Sequence, residues 1–151
     1  MRLYIIKTLS PFILSLSITL FVALPKLGYC DIAVIVNSEN PVTLLSKEEV
    51  RNIFLGRMTR FPRTDLAVSL VEIRGNSAQK ERFYKIVVNK SITKVNRYWA
   101  RYLFTGKMTP PKKLANSKQV INELIKNPSG VSYIDSSELS PLVKVVLVIP
   151  E

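Results

Sequence analysis

Ile32-Ala33-Val34-Ile35-Val36 is an unbroken apolar run, and no other feature limits the fold of this chain so strongly. A strand with one wet face alternates apolar and polar residues. An uninterrupted run is the pattern of a strand covered on both faces, so it calls for layers on either side of a sheet. The layers are legible downstream. Ser46-Lys47-Glu48-Glu49 reads as a capping box, with Val50, Ile53 and Phe54 on the apolar face of the helix and Gly56 placed to end it. Leu66 to Ile73 is β-prone and is followed by the turn Arg74-Gly75-Asn76-Ser77. Ser77 is expected to cap a helix running to about Val88, with Phe83 and Val87 four apart on one face.

A turn at Asn89-Lys90-Ser91 leads to a helix over Ile92 to Phe104, and a loop runs from Thr105 to Pro111. Ser117 is expected to cap a helix from Lys118 to Lys126 that ends at Asn127-Pro128-Ser129-Gly130. Val131 to Ile134 and Val143 to Ile149 read as strands. Strands separated by helices predict an α/β sandwich around a mixed, mostly parallel sheet flanked by helices, with the direction of the last strand open. Residues 31–151 suit one domain.

Residues 1–30 are a different kind of segment. Arg2 and Lys7 make a short positive start, no acid precedes Asp31, and Leu9 to Leu24 is apolar apart from Pro11 and a few hydroxyl residues. That stretch is short for a span of ~20 residues. Together with the small residues Gly28 and Cys30, it predicts a secretory signal peptide cut ahead of Asp31. A retained anchor is one alternative. Another is a lipoprotein box at Leu27-Gly28-Tyr29-Cys30, where Tyr29 is larger than such a box accepts. The expected compartment is the periplasm.

Residues 31–151 keep 19 of the 22 Lys and Arg residues and all 11 acids, a formal charge of +8. Such a balance favours anionic partners without choosing among phosphate, nucleic acid, lipid headgroups and acidic polysaccharide. The chain has no histidine and one cysteine, Cys30, so an internal disulfide is impossible and the commonest acid–base catalyst is missing. There is no nucleophile paired with a base, no phosphate-cradling glycine loop and no zinc spacing. Glu48 and Glu49 suit helix capping, and Asp135 and Glu138 have no metal-cage spacing. The expectation is a protein that is not an enzyme and uses no cofactor or metal.

The turn after Ile73 is the most informative place for ligand chemistry. A strand ends there and a helix begins with a hydroxyl at its cap. Ligands of open α/β sheets gather at the carboxyl ends of strands. Unpaired amides and a partial positive charge at a helix start suit an oxyanion, and Arg74 adds forked donors. An ordinary serine cap beside a solvated arginine is the plainer reading of the same residues.

Arg74, Ser77-Ala78-Gln79 and Phe83 resemble the Arg…Ser-Gly-Thr-x-x-x-Phe anion-binding turn of phosphate-binding proteins of phosphate ABC transporters. Other segments agree in order: Leu45 through Gly56, Trp99 before Phe104-Thr105-Gly106, and Gly130-Val131-Ser132-Tyr133-Ile134. The likeness runs through nearly all of residues 31–149 and is nearest to the short, single-lobe phosphate ABC transporter substrate-binding proteins. It implies one lobe of a type II periplasmic binding protein that binds phosphate or another oxyanion through Arg74, Ser77 and the amides of Ala78 and Gln79. It also implies an ABC permease as partner. Two departures stand in the motif. Ala78-Gln79 replaces Gly-Thr, and Arg74 is one residue nearer to Ser77. Only the second lobe is represented, so water competes for the ligand's hydrogen bonds. A lid from a second copy, by self-association, or from an envelope partner would remedy that.

A further stretch combines Lys94, Arg97 and Arg101 with Tyr98, Trp99 and Tyr102. Such interleaving suits single-stranded nucleic acid or an anionic membrane surface. Helical spacing also fits a buried aromatic stripe beside a solvated one. Export argues against nucleic acid. The function expected is periplasmic oxyanion binding linked to ABC-type phosphate uptake. The rival is an envelope interaction module that keeps the lobe as a scaffold, and a third reading is polyanion binding.

Overall fold

The computed structural model describes residues 30–75, 77–105 and 109–150. Apart from Cys30, the expected signal segment lies outside them. Among the described residues one sheet holds β1 (Ile32–Asn37), β2 (Ser69–Ile73), β3 (Lys112–Leu114), β4 (Gly130–Asp135) and β5 (Val143–Ile149), in the order β3-β2-β4-β1-β5. The helices are α1 (Lys47–Phe54), α2 (Ala78–Phe83), α3 (Ile92–Thr105) and α4 (Ser117–Lys126).

The unbroken apolar run at β1 is explained by two cores. Ile32, Val34 and Val36 enter a large one with Val50, Ile53 and Phe54 of α1, Phe83 of α2, and Val95 and Trp99 of α3. Ala33 and Ile35 point the other way, to Val71, Ile134, and Val120 and Leu124 of α4. Successive strand residues alternate faces, so a strand between two helical layers has no polar position to spare.

The α/β sandwich with a mixed sheet is present, with parallel pairing confined to one half. β2 runs parallel to β3 and β4, whereas β1 is antiparallel to both β4 and β5. The expected parallel majority therefore becomes an even division. Helical crossovers generate the parallel pairs. β1 instead inserts between β4 and β5, almost a hundred residues further along the chain, and spacing along the chain carries no direction for so distant a pair.

Several local expectations are refined. Ser46 makes the full capping box of α1: its side chain accepts from the Glu49 amide at 3.1 Å, and its own amide donates to Glu49 Oε2 at 2.7 Å. Gly56 follows the helix with a left-handed φ of 66°. α2 stops at Phe83 and continues as a π-helical segment, Tyr84–Val88, closed by Asn89 at φ 56°. The cap of α4 is Asn116, whose side chain accepts from the Gln119 amide at 3.0 Å. Ser117 is the first helical residue, and its hydroxyl donates to Glu138 Oε2 at 2.6 Å. β3 follows the proline pair and begins Lys112-Lys113, a polar start without a strand pattern. Its pairing with β2 makes it a strand.

Candidate functional site

The site is built where β2 ends. Val71 and Ile73 pair with Lys112 and Leu114 of the parallel edge strand, and the Arg74 amide donates to the Leu114 carbonyl at 2.6 Å. That bond holds the chain to the sheet until the residue at which it turns. Gly75 then adopts φ +86°, a conformation that side chains with a Cβ rarely take. Asn76 lies outside the described residues. Ser77, extended at φ −103° and ψ 157°, starts α2, and its Oγ accepts from the Lys80 amide at 3.1 Å.

The residues expected to hold an oxyanion thus share one short turn between a strand end and a helix start. Arg74, Ser77 and Ala78 are exposed. Among the described residues the Arg74 guanidinium has no hydrogen-bond or ion-pair partner. The first amides of a helix have no acceptor within it, which leaves those of Ala78 and Gln79 available. Ser77 is spent only in part by its cap, because a hydroxyl accepting from an amide still has a proton to donate. The Gln79 side chain turns inward, and its Nε2 is buried without a partner among the described residues. Gln79 can therefore offer a ligand its backbone amide but not its side chain. Phe83, the aromatic of the motif, is fully buried and stacks on Tyr133 at 3.8 Å, which anchors α2 against the sheet.

A second set of polar side chains, marked by no capping or motif pattern, lies beneath this turn. Glu72, on β2, is 3% exposed and is met by Lys80 Nζ at 2.8 Å and by the Tyr84 hydroxyl, which donates to its other oxygen. Tyr133 shares this interior, with its hydroxyl buried and unpartnered among the described residues. Burial, with the Glu72 charge as second cause, pushes both phenols well above the usual tyrosine range. A signal existed in the sequence: Glu72 interrupts Leu70-Val71-Glu72-Ile73, and Lys80 follows eight residues later. The pairing has a consequence for the site. Lys80 is consumed internally, so Arg74 is the side-chain cation that the turn itself presents. Beside the turn a hollow of about 510 Å³ is lined by Glu72, Gly75, Lys80, Trp99, Pro111 and Lys113.

The basic–aromatic helix divides as helical spacing predicts. Trp99 is buried at 7% exposure, while Lys94, Arg97 and Arg101 are exposed. Asp135 accepts from the amide and hydroxyl of Ser137, and Glu138 accepts from Ser117, so both carboxylates serve local structure. Among the described residues no group of His, Cys, Asp and Glu side chains is placed to hold a metal ion.

No protein-family model matches the chain, and no curated protein matches it. Solved structures do match in fold. One from Clostridium perfringens, described as a phosphate ABC transporter substrate-binding protein with bound phosphate, superposes with a TM-score of 0.61 at 20% identity, over 79% of this chain and 46% of that one. An ABC-type phosphate transport receptor from Vibrio cholerae gives 0.59 at 17% identity, over 79% and 47%. PstS from Borrelia burgdorferi gives 0.58 at 11%, over 79% and 48%. The chain spans about half the length of the structures it matches. Its fold is that of one lobe of such binding proteins.

Proposed function

We propose that this domain is a periplasmic oxyanion-binding module, with phosphate as its first ligand, acting with an ABC-type uptake system. Residues 1–30 are, on this reading, the cleaved signal, and residues 31–151 the exported domain. The reading rests on one observation: an exposed Arg74 without an acidic partner, beside a Ser77-capped helix start, in a fold shared with proteins named for phosphate binding. Arg74 supplies charge and forked donors, Ser77 its hydroxyl proton, and Ala78 and Gln79 their amides. Every one of these groups donates, which suits the acceptor oxygens of an oxyanion. The set holds no base to activate the Ser77 hydroxyl, so binding without chemistry is the function proposed.

Calorimetric titration with phosphate, sulfate and acetate tests it. Saturable phosphate binding is expected, weakened by Arg74→Ala by about 1.5–3 kcal/mol, the range for hydrogen bonds to charged groups. Ser77→Ala should weaken it as well. Absence of saturable heat with any oxyanion at millimolar concentration would retire the reading for the monomer and leave the lobe as an interaction scaffold.

A further inference from the structure

The basic face of α3 is not explained by oxyanion capture. Lys94, Arg97 and Arg101 follow one another at helical spacings of three and four, and Lys90 extends the stripe into the preceding turn. These four cations and Tyr98 line a shallow hollow of about 300 Å³. Arg57 lies against the Tyr98 hydroxyl from the segment after α1.

Two local costs mark this face as more than solvated surface. Like charges three and four apart repel along a helix. Lys94 also sits in a first turn that holds no acid, where the helix dipole disfavours a cation. An ordinary wet face relieves both with interspersed carboxylates, and α3 contains none. The ion pairs Arg63–Glu49, Lys80–Glu72 and Lys112–Glu123 all lie away from this face. A cluster left without internal neutralisation is complementary to an external polyanion.

We propose that the α3 face, through Lys90, Lys94, Arg97 and Arg101 with Arg57 beside them, docks this domain on an anionic lipid bilayer. The geometry suits a planar array of phosphates. From Lys94 to Arg101 the stripe covers about 10 Å at 1.5 Å per residue, about one Debye length at 0.1 M salt, and neighbouring cations are closer still, so the charges act together. Tyr98 and Tyr102 supply amphipathic rings of the kind enriched at headgroup depth. Their placement is unsuited to nucleic-acid bases. Tyr98 is tied by its hydroxyl to the Leu55 carbonyl at 2.7 Å, its ring packs 4.7 Å from that of Tyr102, and Trp99 is buried. Stacking on single strands needs ring faces open to the base. A second copy of this chain is a poor occupant of this face, since residues 31–151 carry +8 and the stripe would meet a like-charged domain.

Co-sedimentation of the full chain with vesicles tests the proposal. Vesicles of phosphatidylcholine alone set the background from any apolar insertion of residues 1–30, and vesicles containing phosphatidylglycerol add the charge. Wild type is expected to bind the anionic vesicles more tightly, less so at high salt. The triple variant Lys94→Gln/Arg97→Gln/Arg101→Gln should lose about fivefold per charge, roughly a hundredfold in all. Lys94→Arg/Arg97→Lys/Arg101→Lys, which keeps the charges, should retain binding and guards against a folding defect. Lys47→Gln/Lys118→Gln/Lys126→Gln removes equal charge from exposed positions of α1 and α4 and should lose much less. Equal losses in the two neutral triples, or equal binding to both lipids, would overturn the proposal. So would a single-stranded oligonucleotide that binds wild type but not the α3 triple while vesicle binding is the same for both.

Discussion

Lys80 Nζ lies 2.8 Å from Glu72 Oε2, with only 5% and 4% of the two side chains reaching solvent. The pair joins the last turn of the site to the strand beneath it. Lys80 also gives its amide to Ser77, so one residue closes the helix cap and neutralises the buried carboxylate.

Removing one partner of this pair leaves an uncompensated charge in the interior. Lys80→Met is expected to cost about 3–5 kcal/mol by urea denaturation. Adding Glu72→Gln to it should recover part of that loss, because the stranded charge is gone. A cost for Lys80→Met below about 1 kcal/mol would be the behaviour of an exposed pair and would contradict the geometry.

The two buried phenols separate a made hydrogen bond from an unmade one. Tyr84→Phe removes a donor to a charged carboxylate and should cost about 1.5–3 kcal/mol. Tyr133→Phe removes a hydroxyl without a partner and should be neutral or slightly stabilising. Both phenols have raised pKa values, so they leave stability independent of pH below the usual value of 10.0 and lower it as pH rises from there through the folded values. Stability of wild type should fall on strongly alkaline titration, and the double Phe variant should fall less. Identical alkaline profiles would show that these phenols are not the groups responsible.

Glu49 governs the acid side. The Ser46 amide that donates to it is the first cause of a carboxyl held below its usual 4.5, with the Ser46 hydroxyl and Arg63 assisting. A lowered pKa means that its stabilising effect is present above the unfolded value and fades as pH falls through the folded one. Glu49→Gln should flatten the acid limb of the stability profile. Ser46→Ala should lower stability by about 1 kcal/mol near neutrality, the usual worth of such a cap. An acid limb unchanged in Glu49→Gln would assign it to other carboxylates.

Gly130 opens β4 close against the end of α4. A Cβ there would collide with Leu124 Cδ2 and stand 3.0 Å from the Asn127 carbonyl oxygen. Gly130→Ala is expected to destabilise by about 1–3 kcal/mol through overpacking. A melting temperature equal to wild type would mean that the Leu124 side chain yields without cost.

The exposure of Arg74 and Ser77 leads to the last prediction. A ligand in contact with one open lobe gains more if a second surface covers it, and linkage then makes phosphate favour the covered assembly. Sedimentation velocity across a phosphate series, with chloride matching ionic strength, should show phosphate-dependent association of this chain. Matching is needed because a +8 domain also responds to screening. A constant mass distribution would remove self-association and leave a transporter surface as the lid.

Local chemistry was legible wherever it is local. The capping residues at Ser46 and Ser77, the apolar spacing of Ile53, Val95 and Trp99, and the turn after Ile73 are written within a few residues each. The cap of α4 was displaced by one position because Asn116 and Ser117 are both good caps. Only the placement of Glu138 shows that the serine hydroxyl is engaged elsewhere. β3 was invisible because two of its three residues are lysines and its strand character comes from pairing with β2.

By itself the sequence determined that both faces of β1 are buried, that helices and strands are interspersed, and that Ser77 opens a helix just after β2. Short-range sterics, capping and hydrophobic periodicity are sufficient for that. Tertiary structure alone decided that β1 runs against β4 and β5, that Lys80 is spent on Glu72, and that Gln79 turns its amide inward. Those outcomes depend on which distant residues share the interior. A buried charge must find its partner in space, whatever its distance along the chain.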